Sequence, residues 1–217
     1  MPKVEVSKLD QSLVSWFDNY YLHLILFFLL IFILLPVLAP VLVKNGLEFP
    51  ARLIYWAYSN LCHQLPYRSW FLFGTHTHYP LEAAGIESGL DFISAFHYSG
   101  ELENSRGIIG SDTLGYKIAI CQRDLAMYIG LFLIGLGYLA SGKKWKKIPF
   151  WAWVAFGVLP LGIDGISQLA GYLEGLPAFL PLRESTPLLR TFTGALFGIF
   201  TGLYVLPLID NRVKRKI

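Results

Sequence analysis

Charge is scarce in this sequence. Only 15% of its 217 residues are charged and 54% are hydrophobic, whereas an ordinary soluble domain carries about 25% charged residues. The net charge of +3 excludes a general nucleic-acid binder. Cysteine is scarcer still. Two residues cannot make a disulfide scaffold, but they can form one bond, join a metal site or remain free thiols. The chain lacks a Gly-rich phosphate loop, a Cys-x-x-Cys-His haem attachment and a Gly-x-Ser-x-Gly nucleophile elbow. It also lacks an internal repeat, the feature on which many transporters are built. A cleaved signal peptide is not expected. The apolar run from Tyr20 to Val43 is too long for one, and no small-x-small pattern follows it.

Long hydrophobic runs are abundant. Mean hydropathy is +0.50, and the apolar residues gather in runs of 18 or more, enough to cross a bilayer core of ~30 Å. The pattern predicts an all-α, polytopic transmembrane helix bundle. About four spans are expected, Tyr20–Val43, Ile118–Ser141, Phe150–Gly171 and Pro187–Ile209, plus one partly inserted segment. Residues 51–74 are that segment, with a short helix over Ala51–Leu61, because Pro66 breaks a helix and Arg68 is costly at a bilayer centre. Five spans are the alternative. Residues 1–19 read as an interfacial amphipathic segment, with Val6, Leu9, Leu13, Trp16 and Phe17 among polar neighbours. Residues 20–217 form a single transmembrane domain containing a polar loop over 75–117.

The basic residues cluster in Lys143-Lys144-Trp145-Lys146-Lys147 and in Arg212-Val213-Lys214-Arg215-Lys216. Such clusters set topology and contact anionic lipid heads, and they place the turn and the C-terminus in the cytoplasm. Gly194, Gly198 and Gly202 form a stripe at four-residue steps, through which another helix can approach, including one from a homo- or hetero-oligomer.

Because consecutive spans alternate in direction, the ends near Cys121, Gly171 and Pro187 share one membrane face. That face collects Cys121, Arg123, Asp124 and Tyr128, then Asp164 and Gln168 one turn apart, then Glu184 and Arg190. Cys62, His63, Gln64 and Arg68 join them if residues 62–69 dip in from the same side. Asp164 lies seven residues from Gly171, roughly 10 Å inside the helix end. Arg68, Arg123 and Arg190 are its candidate partners, in a structural ion pair or in a ligand or proton site.

The run Cys62-His63-Gln64-x-Pro66-x-Arg68-Ser69, then Gly74, Cys121-x-Arg123, Tyr128 and Gly130, resembles a family of prokaryotic multi-pass membrane proteins of unknown function. So do Asp164-Gly165-x-x-Gln168, Glu184-Ser185-Thr186, Arg190 and Thr193-Gly194. The hallmark of that family is a Cys-His-Gln segment followed by Cys-x-Arg-Cys. The resemblance covers about residues 50–205 and implies the prokaryotic cytoplasmic membrane, without an established activity. Asp124 stands where the family has its last Cys, and the connection from Gly74 to Cys121 is longer than expected. Three Cys and one His would suit tetrahedral zinc in the family pattern. Here Cys62, His63, Cys121 and Asp124 remain a chemically sound set for zinc or another transition metal. Adjacent Cys62 and His63 can converge only at an irregular turn. A Cys62–Cys121 disulfide and two inert thiols are the competing readings. His76 and His78 could add ligands, but histidines in a polar loop are more often simply solvated.

Three functions fit these residues. One is a metal- or thiol-dependent membrane protein, an enzyme acting on lipid or a redox carrier. A second is a small transporter or ion pathway using Asp164, Gln168 and the arginines. The third is an accessory subunit of a membrane complex.

Overall fold

The computed structural model describes residues 8–85, 91–169 and 183–214. Residues 1–7 of the expected interfacial segment, Gly171 and the end of the basic tail lie outside them. Helix α1, Lys8–Lys44, runs without interruption from the amphipathic region into the first span. Pro36 and Pro40 sit inside it, fully buried, and do not end it. A turn leads into α2, Glu48–Ser59, which at 12 residues is too short to cross a bilayer.

Next comes a small sheet that periodicity did not reveal. Strand β1 (Ser69–Leu72), β2 (Gly110–Ser111) and β3 (Gly115–Cys121) pair antiparallel in the order β1-β3-β2. The run 115–121 alternates too little to declare itself a strand, because Lys117, Ile118, Ala119 and Ile120 are all buried. The second span therefore begins at Gln122 rather than Ile118. The loop over 75–117 is more ordered than its composition implies. It carries β2, the start of β3 and the short helix α3 (Phe92–Phe96), packed on an aromatic core of Tyr67, Phe71, Tyr79 and Phe92. Ser69 pairs with Cys121 across the sheet, so residues 62–74 form a turn and an edge strand.

Helix α4 (Gln122–Ala140) descends into the apolar bundle. The third span is α5 (Phe150–Trp153), a π-helical turn (Val154–Val158) and α6 (Leu159–Leu169). Pro160 explains the π turn. It has no N–H, and its ring crowds the carbonyl four residues earlier, so the helix widens just ahead of it. Helix α7, Pro187–Lys214, completes the bundle. Pro187 occupies its first position, and the Thr186 hydroxyl accepts from Leu189 N at 3.1 Å.

Among the described residues, four helices are long and apolar enough to cross a membrane: Tyr20–Lys44, Gln122–Ala140, Phe150–Gln168 and Pro187–Asp210. The segment 51–74 supplies no such helix. The Gly194–Gly198–Gly202 stripe faces α4 of the same chain. A Cβ on Gly198 would lie 2.0 Å from Met127 O, and one on Gly194 would lie 2.2 Å from Arg123 O. The surface expected to admit another helix is thus filled from within the chain.

Candidate metal and arginine site

The site is built where the sheet meets the bundle. Cys62 follows α2 by one turn, its N–H donating to Tyr58 O at 2.9 Å. The irregular turn that adjacent Cys62 and His63 require is present. Gln64 adopts a left-handed φ of 53°, uncommon for a residue with a Cβ. Its buried amide holds the turn in place, donating to Tyr55 O at 2.8 Å and Ala119 O at 2.9 Å. Cys121 is the last residue of β3 and the N-cap of α4, where its Sγ accepts from Asp124 N at 3.4 Å. Cys121 N in turn donates to Cys62 Sγ at 3.3 Å.

The outcome is a three-residue cluster. One ligand atom each from Cys62, Cys121 and Asp124 lie within 4.8 Å of one another. The two cysteines are free thiols. A hydrogen bond from the Cys121 thiol lowers the pKa of Cys62, against the opposing effect of burial, whereas bonding to Cys62, together with burial, raises that of Cys121. His63 lines the same cavity but is exposed and stands outside the cluster.

The cavity measures about 200 Å³. Its wall includes Cys62, Gln64, Arg68, Cys121, Arg123, Asp124 and Arg190. Behind that wall runs a chain of buried ion pairs. Arg68 grips Glu184 with two hydrogen bonds of 2.9 Å, from Nε and Nη2. Arg190 bonds the same carboxylate and also donates to Gln168 Oε1 at 2.6 Å. Arg123 pairs with Asp164, which also accepts from Ser185 Oγ at 3.0 Å and Gln168 Nε2 at 3.3 Å. Arg183 Nη2 lies 3.6 Å from Asp164. The sequence brought Arg68, Arg123 and Arg190 forward for Asp164. The structure divides them, with Arg123 on Asp164 and Arg68 and Arg190 on Glu184. Arg183 and Ser185 were the partners missed, both in the connection immediately before α7, where no periodicity marks them.

Tyr128 stands apart from this wall. One helical turn below Asp124, it packs edge-on against Phe32 with ring centroids 4.7 Å apart.

Lys117 was also missed. It is fully buried on β3 and donates to Gln64 O at 2.7 Å and Arg106 O at 2.6 Å. Burial pushes its pKa down to about 7. It braces the Cys62–Gln64 turn from behind.

Residues 112–204 match a family described as "Predicted membrane protein (DUF2085)". The chain is also similar to an uncharacterized protein of Methanocaldococcus jannaschii, with 28% identity over 175 residues, or 80% of this chain and 79% of the relative. No solved structure matches it. The matched stretch contains Cys121, Arg123, Asp124, Asp164, Gln168, Glu184 and Arg190. Cys62, His63, Gln64 and Arg68 precede it, so what joins them to the site is the pairing of β1 with β3. At this level the chain is a predicted membrane protein whose Cys62, Cys121 and Asp124 could hold a metal ion.

Proposed function

We propose that the protein is a metal-dependent membrane protein that binds a zinc-type cation at Cys62, Cys121 and Asp124, beside an arginine-walled cavity at one membrane face. The observation that carries this reading is the convergence of Asp124 on the two sulfurs. A disulfide has no use for a carboxylate at that point. Tetrahedral zinc, with bonds of ~2.3 Å to sulfur and ~2.0–2.2 Å to oxygen, places its ligand atoms roughly 3.5–3.8 Å apart, a small closure from the observed cluster. Three protein ligands leave a fourth position facing the cavity, the pattern of a catalytic rather than a structural site. Arginine forks around that position suit a phosphate or carboxylate group.

The transporter reading receives less support. Asp164 is held by Arg123, Arg183, Ser185 and Gln168, an arrangement suited to joining helices. The Lys143–Lys147 turn lies at the opposite end of α4 from Cys121, so the positive-inside rule puts the site on the outer face of a prokaryotic cytoplasmic membrane.

Elemental analysis and thiol counting on detergent-purified protein test this function. The expected result is about one zinc-type ion per chain, lost in Cys62→Ser and Cys121→Ser and weakened in Asp124→Asn. Metal-free protein with both thiols blocked to alkylation would replace the metal with a disulfide. Metal-free protein with both thiols reactive would leave two inert cysteines.

A further inference from the structure

A second, apolar groove adjoins the arginine cavity. It has a volume of about 680 Å³ and runs between α1 and α4, past Ile25, Phe28, Phe32, Tyr128 and Leu131. Leu61 stands on the wall of both the groove and the polar cavity. From the level of Phe32 the groove follows α1 back to Tyr21, eleven residues, or about 16 Å along the helix axis. Its upper end, at Tyr128, lies one helical turn below Asp124 on the cavity wall. A charged cavity at the membrane surface therefore opens beside a hydrocarbon-lined channel descending into the bilayer.

The charge of the polar end is specific. Arg68, Arg123, Arg183 and Arg190 face two carboxylates, Asp164 and Glu184, through the ion pairs of the network. The balance is two positive charges in excess before Asp124 is counted, and one after. Arg190 is 3% exposed and still reaches the cavity wall. Arg123 Nε is buried with no hydrogen-bond partner. A buried donor without an acceptor is costly, and an anion in the cavity would satisfy it.

We infer that this composite site binds an anionic lipid, its phosphate against Arg68, Arg123 and Arg190 and one acyl chain in the α1–α4 groove. Arginine forks suit a phosphate head group, and an apolar groove beside them gives the attached acyl chain a matching surface. The inference deepens the proposed function by naming a lipid as the ligand beside the metal. It rests on that reading only for the metal's part in any chemistry, because the arginines and the groove stand without it.

The test is native mass spectrometry of the full chain in mild detergent. The protein is titrated with phosphatidic acid, with phosphatidylcholine of the same chains and with inorganic phosphate, and its zinc content is measured on the same samples. Phosphatidic acid should bind at least ~10-fold more tightly than phosphatidylcholine, a difference of about 1.4 kcal/mol. Inorganic phosphate should compete weakly. Arg123→Gln should reduce the head-group preference. Because that change breaks a buried ion pair, Ile25→Trp supplies a second variant at a half-exposed groove position, where bulk should block the chain without disturbing the arginines. Equal binding of both lipids, competition by phosphate as effective as by phosphatidic acid, or an unaffected Ile25→Trp would each overturn the lipid site. Bound zinc without lipid preference would sink this inference alone. Lipid preference without zinc would support it and sink the metal reading alone.

Discussion

Lys117 shows how one residue couples the sheet to the candidate site. Its ammonium group is enclosed among backbone carbonyls, with no carboxylate paired to it among the described residues, and burial lowers its pKa from 10.5 to about 7. Between those values the unfolded chain binds a proton that the folded chain lacks, so stability rises with pH across that window. The destabilising effect is complete below pH 7. Thermal unfolding in detergent should therefore shift upward from pH 7 to pH 9 in the native protein, and Lys117→Met should flatten that slope. Parallel slopes would show that Lys117 stays charged in the folded state. Gln64 works at the same scale. Its left-handed φ is the strain that lets consecutive residues Cys62 and His63 leave the helix line, and its two amide bonds keep the turn from relaxing.

Among the elements, the passage from β3 to α4 matters most. The chain stops being a strand at Cys121 because the next residues begin an apolar helix, and a sulfur caps that helix where a hydroxyl or carboxylate usually does. The same junction sets Asp124 one turn into the helix, over the two thiols. Helix α7 holds α4 there through its glycines. Alanine is a better helix former than glycine by about 1 kcal/mol, so propensity alone favours Gly198→Ala. Packing opposes it, because the new methyl would lie 2.0 Å from Met127 O. We expect a net destabilisation of roughly 1–3 kcal/mol from overpacking. A raised melting temperature for Gly198→Ala would mean that the two helices do not approach so closely.

For the whole molecule, the buried ion pairs tie together segments that the hydrophobic effect cannot distinguish inside a bilayer. Arg68 comes from the turn just before β1, Arg123 from α4, Asp164 from the third span, Glu184 from the connection before α7 and Arg190 from its first turn. Lipid tails are as apolar as leucine, so such polar contacts and close packing specify the helix arrangement. The arrangement also sets the site and the Lys143–Lys147 turn at opposite ends of α4. On a Cys62→Ser, Cys121→Ser background, His63→Cys and Lys144→Cys place single thiols at exposed positions on the two sides. A membrane-impermeant maleimide applied to intact cells should label His63→Cys and spare Lys144→Cys. Labelling of both, or the reverse, would overturn the four-span, positive-inside topology.

Much of this protein is legible in its sequence by elementary means. Run length and hydropathy yield four spans because the bilayer has one thickness, and a helix rises by a constant amount per residue. Alternation of direction then gathers Cys121, Asp164, Gln168, Glu184 and Arg190 on one face without any coordinates. The pairings within that face are different in kind. Which arginine meets which carboxylate depends on angstrom-scale helix offsets, which residue spacing along the chain does not encode. The strand 115–121 escaped notice because burial on both faces erases the alternation that marks a strand. The family resemblance grouped Cys62, Cys121 and Asp124 as candidate ligands, and the pairing of β1 with β3 is what brings the two cysteines, 59 residues apart, together beside Asp124 and leaves His63 out. Sequence determined which chemical groups stand at the membrane face, whereas tertiary structure decided their partners, because contacts across distant segments arise only when the chain closes on itself.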